Sequence, residues 1–133
     1  MAYLIDSSVW IEMERHGQRV RDIRNLIPDE SIAVAAITAS ELLVGVARAD
    51  TEERRSRRER FVETVLQVAP VETFDLPVAR VHAKLVAQMA GEGSLIGSHD
   101  LLIAATALAY GYGVLTHNVR DFGRVPGLDV RTV

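Results

Sequence analysis

Four acids in this 133-residue chain stand where apolar segments begin or end, and together they could bind a hard cation. Asp6 closes the run Ala2–Ile5, and Glu41 is flanked by Leu42 and Leu43. Asp100 opens an apolar stretch beginning Leu101-Leu102-Ile103, and Asp121, with Asn118, follows Val114–Thr116. Carboxylates gathered at one edge repel each other and shift one another's pKa unless a cation neutralises them. Oxygen donors with no His or Cys at ligand spacing point to Mg²⁺ or Mn²⁺ rather than zinc. The chain has no cysteine, which excludes a cysteine nucleophile, and no Gly-x-Ser-x-Gly motif.

Each acid also has an ordinary structural use. Asp6, Ser7 or Ser8 can act as helix N-caps. Thr38 and Glu41 have the Thr-x-x-Glu spacing of a capping box. Asp100, two residues after Ser98, complements a helix dipole, and Asn118 with Asp121 can cap a loop. These readings weaken when taken together, because all the acids belong at the same end of one sheet. Gly45 and Ala104, one turn beyond Glu41 and Asp100, leave room for a bulky substrate. His16, His82, His99 and His117 are candidate acid–base groups, but none is spaced from another like a ligand pair, which favours reading them as exposed polar residues. Trp10 reads as core.

The elements that must position these acids alternate in type. Strands are expected at Ala2–Ile5, Ile32–Ala36, Val68–Thr73 (interrupted by Pro70), Val114–Thr116 and Leu128–Val133. Helical stretches are expected after Asp6 to about Glu14, from Gln18 to Leu26, and from a Thr38 cap with Ala39, Leu42, Leu43 and Val46 on one face. Further helices are expected at Thr51 to about Leu66, Pro77 to about Ala90, and from a Ser98 cap over His99–Tyr110. Alternation of this kind predicts an α/β domain with a mainly parallel sheet, binding ligands beyond the carboxyl ends of its strands. The length suits a single domain over residues 1–133.

Composition matches a soluble, cytoplasmic globule: 48% hydrophobic, 25% charged, and no apolar run long enough for a membrane span. The net charge of −3 argues against holding nucleic acid by bulk charge, although a cation-binding pocket that concentrates the acids would remove that objection. Fourteen of the 15 basic residues are arginine, clustered most densely in Arg-Arg-Ser-Arg-Arg-Glu-Arg at 54–60.

Four segments carry a resemblance that spans almost the whole chain. Tyr-Leu-Ile-Asp-Ser-Ser-Val-Trp (3–10), Thr-Ala-Ser-Glu-Leu-Leu-Val-Gly (38–45), Ile-Gly-Ser-His-Asp-Leu-Leu-Ile-Ala-Ala-Thr-Ala (96–107) and Leu-Thr-His-Asn-Val-Arg-Asp-Phe (115–122) resemble the ordered motifs of PIN-domain nucleases. Val-Pro-Gly-Leu (125–128) is similar to the VapC toxin branch of VapBC toxin–antitoxin pairs. The resemblance implies a PIN-like three-layer α/β/α domain and a Mg²⁺- or Mn²⁺-dependent endoribonuclease that leaves 5′-phosphate and 3′-hydroxyl ends. It implies Asp6 and Asp100 as the principal metal ligands and Glu41 as a third acid. Many relatives carry a fourth acid where this chain has Asn118, so either Asn118 or Asp121 completes the site. Ser8 and Thr116 would orient the acids. The implied partners are RNA, a VapB-type antitoxin and a second copy of the chain.

The arginine cluster has three readings. Arg54, Arg57 and Arg58 share a helix face and suit an RNA-backbone clamp, an antitoxin contact, or a salt-bridged surface with Glu53 and Glu59. A non-catalytic α/β module that binds a cation or partner is the alternative to the nuclease. A phospho-receiver domain is disfavoured, since the only lysine, Lys84, lies within a helix away from the acids. A glycoside hydrolase lacks its aromatic platforms at 5% aromatic content.

Overall fold

The computed structural model describes residues 1–133. Five strands form the sheet: β1 (Ala2–Ile5), β2 (Ser31–Ala35), β3 (Val71–Glu72), β4 (Gly113–Leu115) and β5 (Val130–Arg131). The helices are α1 (Ser7–Arg15), α2 (Ile23–Leu26), α3 (Ala36–Ala47), α4 (Glu52–Val68), α5 (Leu76–Gly91), α6 (Ser98–Tyr110) and α7 (Val119–Phe122), with a 3₁₀ turn at Val20–Asp22. The strand order is β3-β2-β1-β4-β5, all parallel, which puts β1 at the centre. Leu4 pairs with Ala33 of β2 and Val114 of β4.

Side chains alternate across the sheet, as strand geometry requires, and so build two cores. Tyr3, Ile5, Ile32, Val34 and Leu115 face one layer, where they meet Val9, Trp10 and Met13 of α1 and Val62 and Val65 of α4. Leu4, Ala33, Ala35 and Val114 face the other, against Leu85 and Met89 of α5 and Leu101, Ile103, Ala104 and Ala107 of α6. A parallel sheet covered on both faces is the three-layer α/β/α arrangement. Gly113 is required at the β1–β4 seam. A Cβ there would stand 2.3 Å from the Tyr3 ring and 3.0 Å from the Asp129 carbonyl. No helix is long and apolar enough to cross a membrane.

Several boundaries differ from expectation. α3 starts at Ala36, directly from β2, and Thr38 is fully buried inside it rather than capping it. Leu43, expected on the apolar face of α3, is exposed, while Leu42 is buried. Gly97, not Ser98, takes the N-cap position of α6. α4 continues to Val68, leaving only Val71–Glu72 as an edge strand. Pro70 offers no N–H for strand pairing, but its carbonyl still accepts from Val34 N at 2.9 Å. Thr51 does cap α4, accepting from Arg54 N at 3.1 Å.

Candidate active site

Asp6 follows the central strand directly, and its backbone N–H donates to the Leu115 carbonyl at 2.9 Å, pinning β1 to β4 where both end. It occupies the N-cap position of α1, yet its side chain makes no capping bond, so capping does not explain the residue. Instead its Oδ2 accepts from Ser8 Oγ at 2.9 Å and from Thr116 Oγ1 at 2.8 Å, with the residue only 5% exposed. Each hydroxyl also accepts a backbone N–H, Thr116 from Asn118 at 2.8 Å and Ser8 from His117 at 3.2 Å. A carboxylate oxygen only accepts, so each hydroxyl donates its proton to Asp6 while a lone pair takes the backbone N–H. The carboxylate of Asp6 is therefore held in one orientation from both α1 and the end of β4.

The other acids converge from helices. The capping box for Glu41 fails because α3 begins five residues earlier, so Glu41 lies in its second turn. Its Oε2 is 3.2 Å from His99 Nδ1, while Oε1 is buried without any hydrogen-bond partner. Asp100 sits in the first turn of α6, where the helix dipole favours it. Its Oδ2 accepts from Asn118 Nδ2 at 3.1 Å, and the same amide nitrogen donates to Asp121 Oδ2 at 3.2 Å. Asn118 and Asp121 thus reach the acids rather than capping their loop, and Asn118 bridges two carboxylates.

The electrostatics confirm this convergence. Burial pushes the Asp100 carboxyl up to about 6, the charges of Asp6, Asp121 and Glu41 add to the rise, and the Asn118 hydrogen bond opposes it. The charges of the three other predicted acids thus all reach Asp100. No three of them stand in ligating arrangement in this structure. Their chemistry nevertheless fits an oxygen-coordinated divalent cation. Such an ion would relieve the repulsion around Asp100 and give the orphaned Glu41 oxygen a partner. His99, a candidate acid–base group that the sequence favours as an exposed residue, is 54% exposed and joins the cluster through Glu41. Its place depends on α3 meeting α6, a long-range contact with no local signal.

Of the arginines, Arg58 lines a pocket together with Glu41. Arg54, Arg57 and Arg58 also line a groove of about 440 Å³ with Glu14 and Arg15, without any hydrophobic residue. Arg54 is paired with Asp50 at 3.0 Å, not with the Glu53 or Glu59 that the salt-bridged reading named. Arg58 donates from Nη1 to the Gly45 carbonyl at 2.8 Å, tying α4 to α3 one turn from Glu41.

Residues 3–128 match the PIN domain family. Over 133 residues the chain is 36% identical to the ribonuclease VapC of Rickettsia bellii, covering all of this chain and 97% of that protein. The fold superposes on VapBC from Salmonella typhimurium, solved bound to DNA, with a TM-score of 0.86 at 25% identity over 99% of this chain and 98% of that one. It superposes on VapBC-5 from Mycobacterium tuberculosis with a TM-score of 0.77 at 32% identity over 99% and 97%. With its acids at the carboxyl edge of a five-stranded parallel sheet, the chain belongs to the PIN-domain family, in the branch of the VapC ribonucleases.

Proposed function

We propose that residues 1–133 act as one PIN-like unit, a divalent-metal-dependent endoribonuclease that serves as the toxin of a toxin–antitoxin pair. The observation that carries this reading is the set of four carboxylates at the ends of β1 and β4, with a buried oxygen of Glu41 left unpartnered. Asp6 and Asp100 would hold Mg²⁺ or Mn²⁺, with Glu41 and Asp121 completing the acid set. When bound, such a cation lowers the pKa of water for in-line attack on a phosphodiester and offsets charge on the phosphoryl oxygens. Ser8 and Thr116 hold Asp6 aimed by donating to its Oδ2. Asn118 spaces Asp100 from Asp121 through its amide. Arg54, Arg57 and Arg58 would contact the RNA backbone, since guanidinium groups match phosphate geometry.

The partners follow from the same relatives. Those from Salmonella typhimurium and Mycobacterium tuberculosis were solved as VapBC assemblies, which supports a VapB-type antitoxin for this chain. A homodimer is supported by the exposed Phe74 and Leu76, which leave apolar surface uncovered.

The test is cleavage of total RNA with Mg²⁺, Mn²⁺ or EDTA, with the cut ends mapped. Wild-type protein should cut only with a cation and leave 5′-phosphates. Asp6→Asn and Asp100→Asn should be folded and inactive. Metal-dependent cleavage by the folded double variant at the wild-type rate would overturn the site assignment. Absence of cleavage by the wild type would favour the non-catalytic binding module.

A further inference from the structure

We propose that the pocket beside Gly45 receives an unstacked nucleobase of the RNA strand, next to the scissile phosphate; the proposal rests on the ribonuclease reading. Gly45 lies on α3 one turn after Glu41, and a Cβ built on it meets nothing within 4 Å. Its backbone is ordinary helix, so neither packing nor conformation demands glycine there. What the missing side chain does is leave open a cavity of about 150 Å³ that is walled by Trp10, Phe61, Glu14, Arg58 and Glu41. Cavities of about 150 Å³ accept a benzene ring in other proteins. A pyrimidine therefore fits, and a purine fits with one edge in solvent. Glu41 forms part of both this pocket and the acid cluster, so a base seated here places its own phosphate at the acids.

The polar atoms around the pocket are suited to the edge of a base. Trp10 is fully buried and, edge-on to Phe61, supplies an aromatic wall. The Glu14 side chain is only 13% exposed, and its nearest cation, Arg58 Nε, stands 3.8 Å away, beyond hydrogen-bond range. A desolvated carboxylate of this kind accepts from the amino or imino N–H of a base. Arg15 and Arg58 supply donors for a base carbonyl. Guanine, cytosine and uracil present both an N–H and a carbonyl, whereas adenine has no carbonyl. The adjoining arginine groove has no hydrophobic lining. It suits a phosphate backbone better than the apolar face of a peptide.

The experiment compares wild type, Gly45→Leu and Glu14→Gln on a randomised RNA library, and on one substrate with and without an abasic ribose at the position flanking the cut. Leucine at position 45 fills the pocket and raises helix propensity, and a retained Mg²⁺-induced thermal shift checks fold and metal site together. Wild type should select against adenine at that position and lose about tenfold in kcat/KM on the abasic substrate. Gly45→Leu should cleave intact and abasic RNA at the same reduced rate, and Glu14→Gln should relax the base preference. A Gly45→Leu protein that still distinguishes intact from abasic RNA as wild type does overturns the proposal. So does one that cleaves normally but no longer binds the cognate antitoxin, which would assign the pocket to the protein partner. A wild-type protein that cleaves no RNA overturns the ribonuclease reading itself, and the base pocket with it.

Discussion

Replacing Asp100 with asparagine should stabilise the metal-free protein while abolishing its activity. Asp100 is pushed up to about 6, first by burial and then by the charges of Asp6, Asp121 and Glu41. A folded-state pKa above the unfolded value means that ionisation destabilises the fold. The penalty is absent below about pH 4, grows as pH rises towards 6, and is complete above it. Its ceiling is about 3 kcal/mol, and partial solvent access at Asp100 reduces it to about 1.5 kcal/mol. Asparagine keeps an acceptor for the Asn118 amide but loses the favourable helix-terminus charge, which subtracts about 0.5 kcal/mol. The net gain of ~1 kcal/mol corresponds to about 3 °C in Tm for a domain of this size. The assay is thermal unfolding in EDTA and in excess Mg²⁺ at pH 7.5 and pH 4. In EDTA at pH 7.5 the variant should melt above wild type, and by pH 4 the two should coincide. Mg²⁺ should raise the wild-type Tm and leave the variant's unchanged. A variant that melts below wild type in EDTA at pH 7.5, or that still responds to Mg²⁺, refutes the account of the acid cluster.

Thr116→Val removes a fully buried hydroxyl that donates to Asp6 and accepts from Asn118 N, so it should cost ~1–3 kcal/mol in urea unfolding. It should also lower RNA cleavage in conditions where the variant remains folded, and unchanged kcat there would separate Thr116 from the site. Asn118→Asp replaces the amide that bridges Asp100 and Asp121 with another carboxylate. The metal-free protein should lose stability at neutral pH and recover it when Mg²⁺ is added, as read by melting in the two conditions. Gly113→Ala forces a methyl to within 2.3 Å of the Tyr3 ring at the β1–β4 seam. Overpacking of that kind should cost about 2–3 kcal/mol, and an unchanged Tm would show that the seam can yield.

The parallel sheet and the acid edge were legible in the sequence because each follows from a local pattern, whereas the three-layer order came from the family resemblance. Short apolar runs ending in Asp6 and Thr116 marked the strands, and the near-continuous apolar stretch after Asp100 marked a helix packed against the sheet. The helix starts were less legible. Thr38 looks like a cap by residue type, but β2 feeds α3 with no intervening loop, so the hydroxyl is carried into the core. Pro70 suggested an interrupted strand, whereas tertiary packing extended α4 almost to it. Within the site, the acids could be picked out because charge among apolar neighbours is unusual. The bridge made by Asn118 and the approach of His99 to Glu41 could not, because each depends on contacts between elements distant in sequence.

The acids reach the site on two kinds of support. Asp6 is tied to the sheet through its own N–H, Ser8 and Thr116, whereas Glu41 and Asp100 are carried by α3 and α6. If a cation binds as proposed, the fewer bonds holding Glu41 and Asp100 leave their helices the more to gain from it. The arrival of a cation should therefore be recorded as slower amide exchange in the first turns of α3 and α6, with the strand that carries Asp6 silent.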